Sequence, residues 1–163
     1  RAELVENDAL FDALETGVVK RYITDFGTED LLNKPNVTVF PHVGGSTGEA
    51  ELNCAIMAGQ TIRRFMETGE IVNSVNFPRV QQALSAPYRI TLINKNVPNI
   101  VARISTAVSD FNINIDNIIN RSKGDYAYTL LDLDETDKSK IDELVAKFEA
   151  SDNIVRVRLI KGK

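Results

Sequence analysis

The sequence predicts an α/β segment followed by a small, complete α+β domain. Residues 1–80 hold short, mostly apolar runs between helical patterns, as in the tail of a doubly wound parallel sheet. Residues 87–163 hold strand and helix patterns in the order βαββαβ, the split βαβ or ferredoxin-like arrangement. Residues 81–86 lie between Pro78 and Pro87 and are mostly polar or small, so we expect a linker there.

The first segment begins with a helical pattern and continues with two apolar runs. Asn7 or Asp8 can cap a short helix, which Gly17 ends. The runs at residues 19–25 and 37–40 suit buried parallel strands that are joined through helical or loop connections.

A long helix is predicted to follow, because Ser46 and Glu49 have the spacing of a capping box. We expect it to end near Gly69, since glycine commonly follows a helix C-terminus. Its predicted apolar face consists of Cys54, Met57, Ala58, Thr61, Ile62 and Phe65.

The second domain has the clearer periodicity. Alternating β-branched residues at 88–93 predict a half-buried strand, and apolar residues three and four apart over 100–111 predict an amphipathic helix. Strands are predicted at 113–121 and 126–132, and the polar turn at 122–125 joins them as a hairpin.

The pattern ends with a second helix and a last strand. Asp137 can cap a helix with an apolar stripe over 141–148, and residues 154–160 alternate as a strand. Both helices are expected on one face of an antiparallel sheet, so the other face should meet solvent or a partner. Edge strands of so small a sheet also need covering, which dimerisation would provide.

Composition narrows the class of protein. The 163 residues are 43% hydrophobic with a net charge of −4, which argues against nucleic acid as a partner. No apolar run is long enough to span a membrane, and no signal peptide opens the sequence. A single cysteine excludes a disulfide framework and a cysteine zinc site, and it fits the reducing cytoplasm. A start at Arg1 instead of Met is expected of a piece of a longer protein.

Residues 92–101 (LINKNVPNIV) and 111–115 (FNINI) resemble the ACT domain, a small-molecule regulatory module. The resemblance implies amino-acid binding at the interface of a paired sheet, with Asn94, Asn96 and Asn114 at the ligand-contact positions. An amide side chain both donates and accepts, which suits the amino and carboxylate groups of an amino acid. The alternative is that the three asparagines only stabilise turns.

One position departs from the ACT pattern, which has Pro-Gly between the strand and the helix. Here Pro98 is followed by Asn99. Asparagine tolerates left-handed backbone angles better than most residues, so the turn is expected to persist.

His42 is the only histidine and follows a predicted strand, at the edge where α/β proteins place their chemistry. It could act as a base if a carboxylate fixes its tautomer, and Glu29 and Asp30 are both candidates. The alternative is a structural histidine. The adjacent Gly44 and Gly45 lack the pattern of a dinucleotide or P-loop motif, so they favour a tight turn before the helix.

Residues 41–51 (PHVGGSTGEAE) and 67–78 (ETGEIVNSVNFP) resemble the D-2-hydroxyacid dehydrogenases. Together with an ACT module they resemble members that begin serine synthesis, over the C-terminal part of such an enzyme. The resemblance implies a Rossmann-like tail, NAD as cofactor with its main loop upstream of Arg1, L-serine as effector, and self-association through the ACT sheet. NAD versus NADP, and dimer versus tetramer, stay open.

The same resemblance assigns roles to individual residues. It makes His42 the base, Glu29 the carboxylate that supports it, and Arg1 the clamp for the substrate carboxylate. The loop before His42 is one residue shorter than is common, so Asp30 competes with Glu29. Cofactor contacts fall on Asp25, Gly44 and Gly45.

We predict that this chain alone is inactive as a dehydrogenase. Two other functions remain open: an amino-acid-binding and dimerisation module, or a dehydrogenase with another 2-hydroxy acid as its substrate.

Overall fold

A computed structural model describes the chain from residue 2 to residue 162. The contacts divide it into two compact units, the first ending at Asn53 and the second beginning at Cys54. This division lies well before the linker predicted at residues 81–86, because residues that follow the long helix pack on the sheet of the second unit.

The first unit contains one helix and a pair of parallel strands. Helix α1 spans Asn7–Glu15, and strands β1 (Tyr22–Thr24) and β2 (Val37–Val39) pair in parallel. Each strand is shorter than the apolar run that predicted it. The small core comprises Leu10, Leu14 and Leu31. Gly17 has a φ of 75°, which agrees with its predicted position after the helix.

Helix α2 spans Gly48–Thr68 and ends where the sequence predicted. Gly69 follows it with a φ of 71°. The predicted cap is wrong by one residue, because the hydroxyl of Thr47, not that of Ser46, accepts from the N–H of Ala50 at 3.1 Å. None of the described residues of α2 is buried, so its predicted apolar face is uncovered within residues 2–162.

The second unit confirms the predicted βαββαβ order. Its sheet is antiparallel, with the strand order β4-β5-β3-β6. In chain order the elements are β3 (Tyr88–Lys95), α3 (Ile100–Ser109), β4 (Asn114–Lys123), β5 (Tyr126–Asp134), α4 (Lys138–Glu149) and β6 (Ile154–Lys161).

Both helices cover one face of this sheet, as predicted. Two local predictions are also confirmed: Asp137 caps α4, accepting from the N–H of Ser139 at 2.9 Å, and Asn99 adopts a left-handed φ of 62° before α3. The core between helices and sheet includes Ile90, Leu92, Ile104, Val108, Leu131, Leu133, Ile141, Leu144 and Phe148.

The opposite face of the sheet is covered over part of β3 and β5, so the expectation that it meets solvent or a partner is wrong for these strands, whereas Arg156 of β6 on the same face is exposed. Ile71 and Val80 form an isolated antiparallel bridge and pack on Tyr128 and Leu130 of β5. The sequence pattern missed this layer because a single bridge has no periodicity. Strand β3 is consequently buried on both faces, although its alternation predicted a half-buried strand.

An ion pair fixes this second layer. Arg89 on β3 and Asp132 on β5 are 0% and 1% exposed and form two hydrogen bonds of 2.5 and 2.7 Å. Arg89 also donates to the carbonyl oxygens of Thr68, Gln82 and Ala83. Residues of the predicted linker are therefore attached to the sheet. No helix within residues 2–162 is both long and apolar enough to cross a membrane.

Candidate functional site

The first candidate site lies at the carboxyl edge of the parallel pair. Thr24 at the end of β1 pairs with Val39 at the end of β2, so the residues that follow the two strands emerge together. Asp25 and His42 meet there, with 2.9 Å between Asp25 Oδ2 and His42 Nδ1. The His42 side chain is 57% exposed, so the imidazole is accessible to solvent.

Local contacts shape the loop that carries Asp25. The hydroxyl of Thr24 accepts from the N–H of Phe26 at 3.0 Å, and the Phe26 ring lies 4.4 Å from the His42 ring, centroid to centroid. A Cβ on Gly27 would approach Val39 Cγ1 to 2.6 Å, so this close passage of the loop over β2 requires glycine.

The structure brings together a pair different from the one the sequence suggested. Glu29 opens a short 3-10 helix, Glu29–Leu31, and is exposed, as is Asp30. Neither forms a hydrogen bond or ion pair with His42 within the described part of the chain. Asp25, which the resemblance assigned to the cofactor, holds the imidazole instead. Arg1 lies outside the described residues.

Gly44 and Gly45 form part of a tight turn before α2. The N–H of Ser46 donates to the Val43 carbonyl at 2.9 Å, and Gly44 has a φ of 49°. A Cβ on either glycine would meet nothing within 4 Å, so the turn leaves open space beside it. Their predicted cofactor contact stays a prediction. No three His, Cys, Asp or Glu side chains from residue 2 to 162 could together hold a metal ion.

The second candidate site is the loop between β3 and α3. Asn96 is exposed and is held by the β4–β5 hairpin: its N–H donates to the Asp125 carbonyl at 2.8 Å and its Nδ2 to the Gly124 carbonyl at 3.0 Å. Its Oδ1 has no partner within residues 2–162. Helix α3 begins beside this loop and has no side-chain cap.

The three predicted asparagines do not form one cluster within a single chain. Asn94 is 0% exposed, and both ends of its amide are hydrogen-bonded. Asn114 opens β4, whereas Asn96 lies beside Gly124, at the other end of that strand. Nine steps of about 3.3 Å from Asn114 to Lys123 separate the two ends by roughly 25–30 Å. The sequence did not indicate two further residues at this site, Thr129 and Asn120. The Thr129 hydroxyl donates to Asn94, and the Asn120 amide donates to Thr129.

Curated relatives of this chain are D-3-phosphoglycerate dehydrogenases. D-3-phosphoglycerate dehydrogenase 2 of Saccharomyces cerevisiae is 31% identical over 139 residues, which are 82% of this chain and 29% of that enzyme. The Escherichia coli K12 enzyme is 26% identical over 171 residues, covering 98% of this chain and 42% of the enzyme. The chain thus spans less than half the length of these relatives. No protein-family model matches it.

Two solved structures also overlay on part of the chain. One is the ACT domain from GTP pyrophosphokinase of Chlorobium tepidum, with 18% identity and a TM-score of 0.41. The overlay includes 45% of this chain and 95% of that domain. The other is the regulatory subunit of aspartate kinase from Thermus thermophilus, with 21% identity and a TM-score of 0.39. The overlay includes 47% of this chain and 52% of that subunit. The similarity to D-3-phosphoglycerate dehydrogenases along most of the sequence confirms the resemblance that the motifs predicted.

Proposed function

We propose that this chain is the C-terminal part of an enzyme that oxidises 3-phospho-D-glycerate to 3-phosphohydroxypyruvate with NAD, the first step of L-serine biosynthesis. The observation that carries the proposal is the Asp25–His42 pair at the carboxyl edge of two parallel strands. His42 lies inside the dehydrogenase-like motif. The ACT domain would add feedback by an amino acid and self-association. The single exposed Cys54, a free thiol, fits a cytoplasmic location.

The geometry supports a proton-transfer role for His42. We assign the imidazole proton to Nδ1, which lies 2.9 Å from Asp25 Oδ2, and this assignment leaves the lone pair on Nε2. Nε2 can therefore take the proton of the substrate hydroxyl while the carbon loses a hydride and becomes a carbonyl carbon. Asp25 would stabilise the imidazolium that results.

The residues present fit the nicotinamide end of a dinucleotide. Asp25 Oδ1 has no partner within residues 2–162 and can accept from a carboxamide, and the Gly44–Gly45 turn leaves open space. Bound NAD would supply the hydride acceptor. The sequence holds no glycine-rich dinucleotide motif, so we propose that its residues contact only the nicotinamide end of the cofactor.

Two variants of the full-length enzyme test this assignment. His42→Asn should lower kcat by about 10²–10⁴-fold, the usual contribution of a general base. Comparing the pH dependence of kcat for NADH formation in Asp25→Asn and Glu29→Gln then identifies the carboxylate that supports the histidine, since loss of a cofactor contact alone would raise the KM for NAD. We expect the larger loss of kcat in Asp25→Asn, and 2-hydroxy acids without phosphate should be poorer substrates. Full activity in His42→Asn would refute the proposal. In the same assay, the 163-residue chain alone should form no NADH.

We propose the β3–α3 loop as the effector site, with L-serine as the ligand. The free Oδ1 of Asn96 can accept from the amino group, and the uncapped start of α3 favours the carboxylate. Antiparallel pairing of two β4 edges would bring Asn114 of a second copy to the end of β4 where Asn96 lies. This arrangement explains how residues at opposite ends of one sheet could serve one ligand.

Calorimetry with L-serine tests this second site. Asn96→Ala and Asn114→Ala should each weaken saturable binding by about tenfold, the effect of losing one hydrogen bond of about 1.4 kcal/mol. Asn153→Ala is the matched control, because it changes the same residue type near the loop but keeps the carbonyl that accepts from Lys95. Equal affinity in all four proteins would refute the site.

A further inference from the structure

Three polar side chains form a buried hydrogen-bond series across strands β3, β5 and β4. Thr129 Oγ donates to Asn94 Oδ1 at 2.9 Å, and Asn120 Nδ2 donates to Thr129 Oγ at 2.7 Å. Asn94 and Thr129 are both 0% exposed, whereas Asn120 is half-buried on the edge strand. The series therefore runs from the centre of the sheet to its edge.

This series is exceptional in its surroundings. All three side chains lie on the helix-covered face of the sheet, whose buried side chains are otherwise aliphatic or aromatic. Arg89 and Asp132, the buried charged residues, lie on the opposite face. Burying amides and hydroxyls costs free energy unless each is hydrogen-bonded, so the series is stable only when complete.

The inner end of the series contacts the backbone of the loop proposed to bind the effector. Asn94 Nδ2 donates to the carbonyl of Lys95 at 3.1 Å, which fixes the peptide that leads into Asn96. The N–H of Lys95 donates to the Asn153 carbonyl at 2.8 Å, where the pairing of β3 with β6 shifts register. Asn94 Nδ2 therefore holds the carbonyl of the Lys95–Asn96 peptide, and the Asp125 carbonyl accepts from the N–H of the same peptide at 2.8 Å.

We propose that Thr129 and Asn120 are positioning residues for the effector loop, acting through Asn94. In this assignment Asn94 does not touch the effector, because it is fully buried and both ends of its amide are engaged. It orients the peptide that carries Asn96. The inference rests on the proposed effector site, and it predicts that affinity depends on two residues that no ligand contacts. A loop fixed before binding loses less conformational freedom on binding, which is the physical basis of the effect.

Substitutions at Thr129 separate the hydrogen bond from the shape of the side chain. Thr129→Val keeps the branched shape and removes the hydroxyl, whereas Thr129→Ser keeps the hydroxyl and removes a methyl group. With L-serine as the probe, calorimetry on the whole chain should give a Kd about tenfold higher for Val and within about threefold of the unmodified chain for Ser. Circular dichroism at the same temperature checks that both variants are folded.

Hydrogen exchange supplies a readout that does not need a ligand. The N–H of Asn96, bonded to the Asp125 carbonyl, should exchange about tenfold faster in Thr129→Val than in Thr129→Ser. The N–H of Ser139 at the cap of α4, remote from the series, is the internal control. If Thr129→Val does not fold, Asn120→Leu removes only the outer donor and should change both readouts in the same direction by about threefold.

The outcomes separate this inference from the proposed function. If the unmodified chain binds no L-serine, the effector proposal fails, and the exchange rates of Asn96 alone decide whether Thr129 positions the loop. Equal Kd values and equal Asn96 exchange in Thr129→Val and Thr129→Ser would overturn the inference. Loss of affinity in both variants to the same extent would also overturn it, because packing and not the hydroxyl would then be responsible.

Discussion

Removing the carboxylate of Asp132 should strongly destabilise the second unit. Arg89 has five N–H donors, and all five are used: two by Asp132 and three by carbonyl oxygens of Thr68, Gln82 and Ala83. Asp132 is the only one of these partners that carries a charge. In Asp132→Asn the guanidinium remains buried without a counter-ion.

The magnitude follows from the burial of both groups. Breaking a buried ion pair by removing one partner costs about 3–5 kcal/mol, because an uncompensated charge is left in a low-dielectric site. A domain of this size is stable by about 5–15 kcal/mol, so a large share of the stability would be lost. Replacing both partners, as in Arg89→Met with Asp132→Leu, should recover most of the loss, since no buried charge remains.

Urea unfolding followed by circular dichroism measures this prediction. The midpoint should fall in Asp132→Asn with little change in the slope, and the double variant should return towards the unmodified chain. Arg156→Met on the exposed side of β6 is the matched control and should change the free energy of unfolding by less than about 0.5 kcal/mol. A loss below about 1 kcal/mol in Asp132→Asn would show that the buried pair is not what holds this layer.

Three further predictions concern Gly69, Tyr128 and Glu135. Gly69→Ala should cost about 1–3 kcal/mol in urea unfolding, because its φ is 71° and the added Cβ would lie 2.5 Å from Thr91 Cγ2. Tyr128→Phe should cost about 1 kcal/mol, as the phenol donates to the Gly69 carbonyl at 2.7 Å; burial raises the pKa of Tyr128, so ultraviolet titration should find one tyrosine ionising later than the others, a step that is lost in the variant. Hydrogen bonds, chiefly from the N–H of Asp137, lower the pKa of Glu135 to about 2. The ionised carboxylate therefore stabilises the fold above its unfolded pKa near 4.5, and this effect is lost as pH falls towards 2, so carbonyl NMR should show no protonation of Glu135 at pH 4.

The elements of the second unit were predictable because each is defined by local spacing. Strands alternate with a period of two and helices repeat every three to four residues, so a short window contains the whole signal. Asp137 and Asn99 were predictable for the same reason, since a cap or a left-handed turn depends on one residue and its neighbours. The layer formed by Ile71 and Val80 has no such signal, because two residues nine positions apart make no period.

The partner of His42 could not be read from spacing. Its position after β2 was predictable, but the choice among Asp25, Glu29 and Asp30 depends on the path of the loop after β1. That path is set by the Thr24 hydroxyl and by the close passage of Gly27 over Val39, contacts that have no counterpart in a hydrophobic pattern. Motif similarity favoured Glu29 and geometry favours Asp25, which is why the paired kinetic comparison is decisive.

Strand β3 connects the second layer of the sheet with the loop proposed to bind the effector. It carries Arg89 near its start and Asn94 near its end, and it is paired on both sides, with β5 and with β6. Sliding β3 along its axis would break both ladders at once, so the strand moves only with the sheet. A change at the effector loop is therefore expected to reach the carbonyl of Thr68, at the end of α2, as a rigid displacement through the Arg89 guanidinium. Asp132→Asn should therefore reduce both the stability of the second unit and the displacement that reaches Thr68. Thr129→Val should lower the affinity for the effector and leave the hydrogen bonds of Arg89 intact.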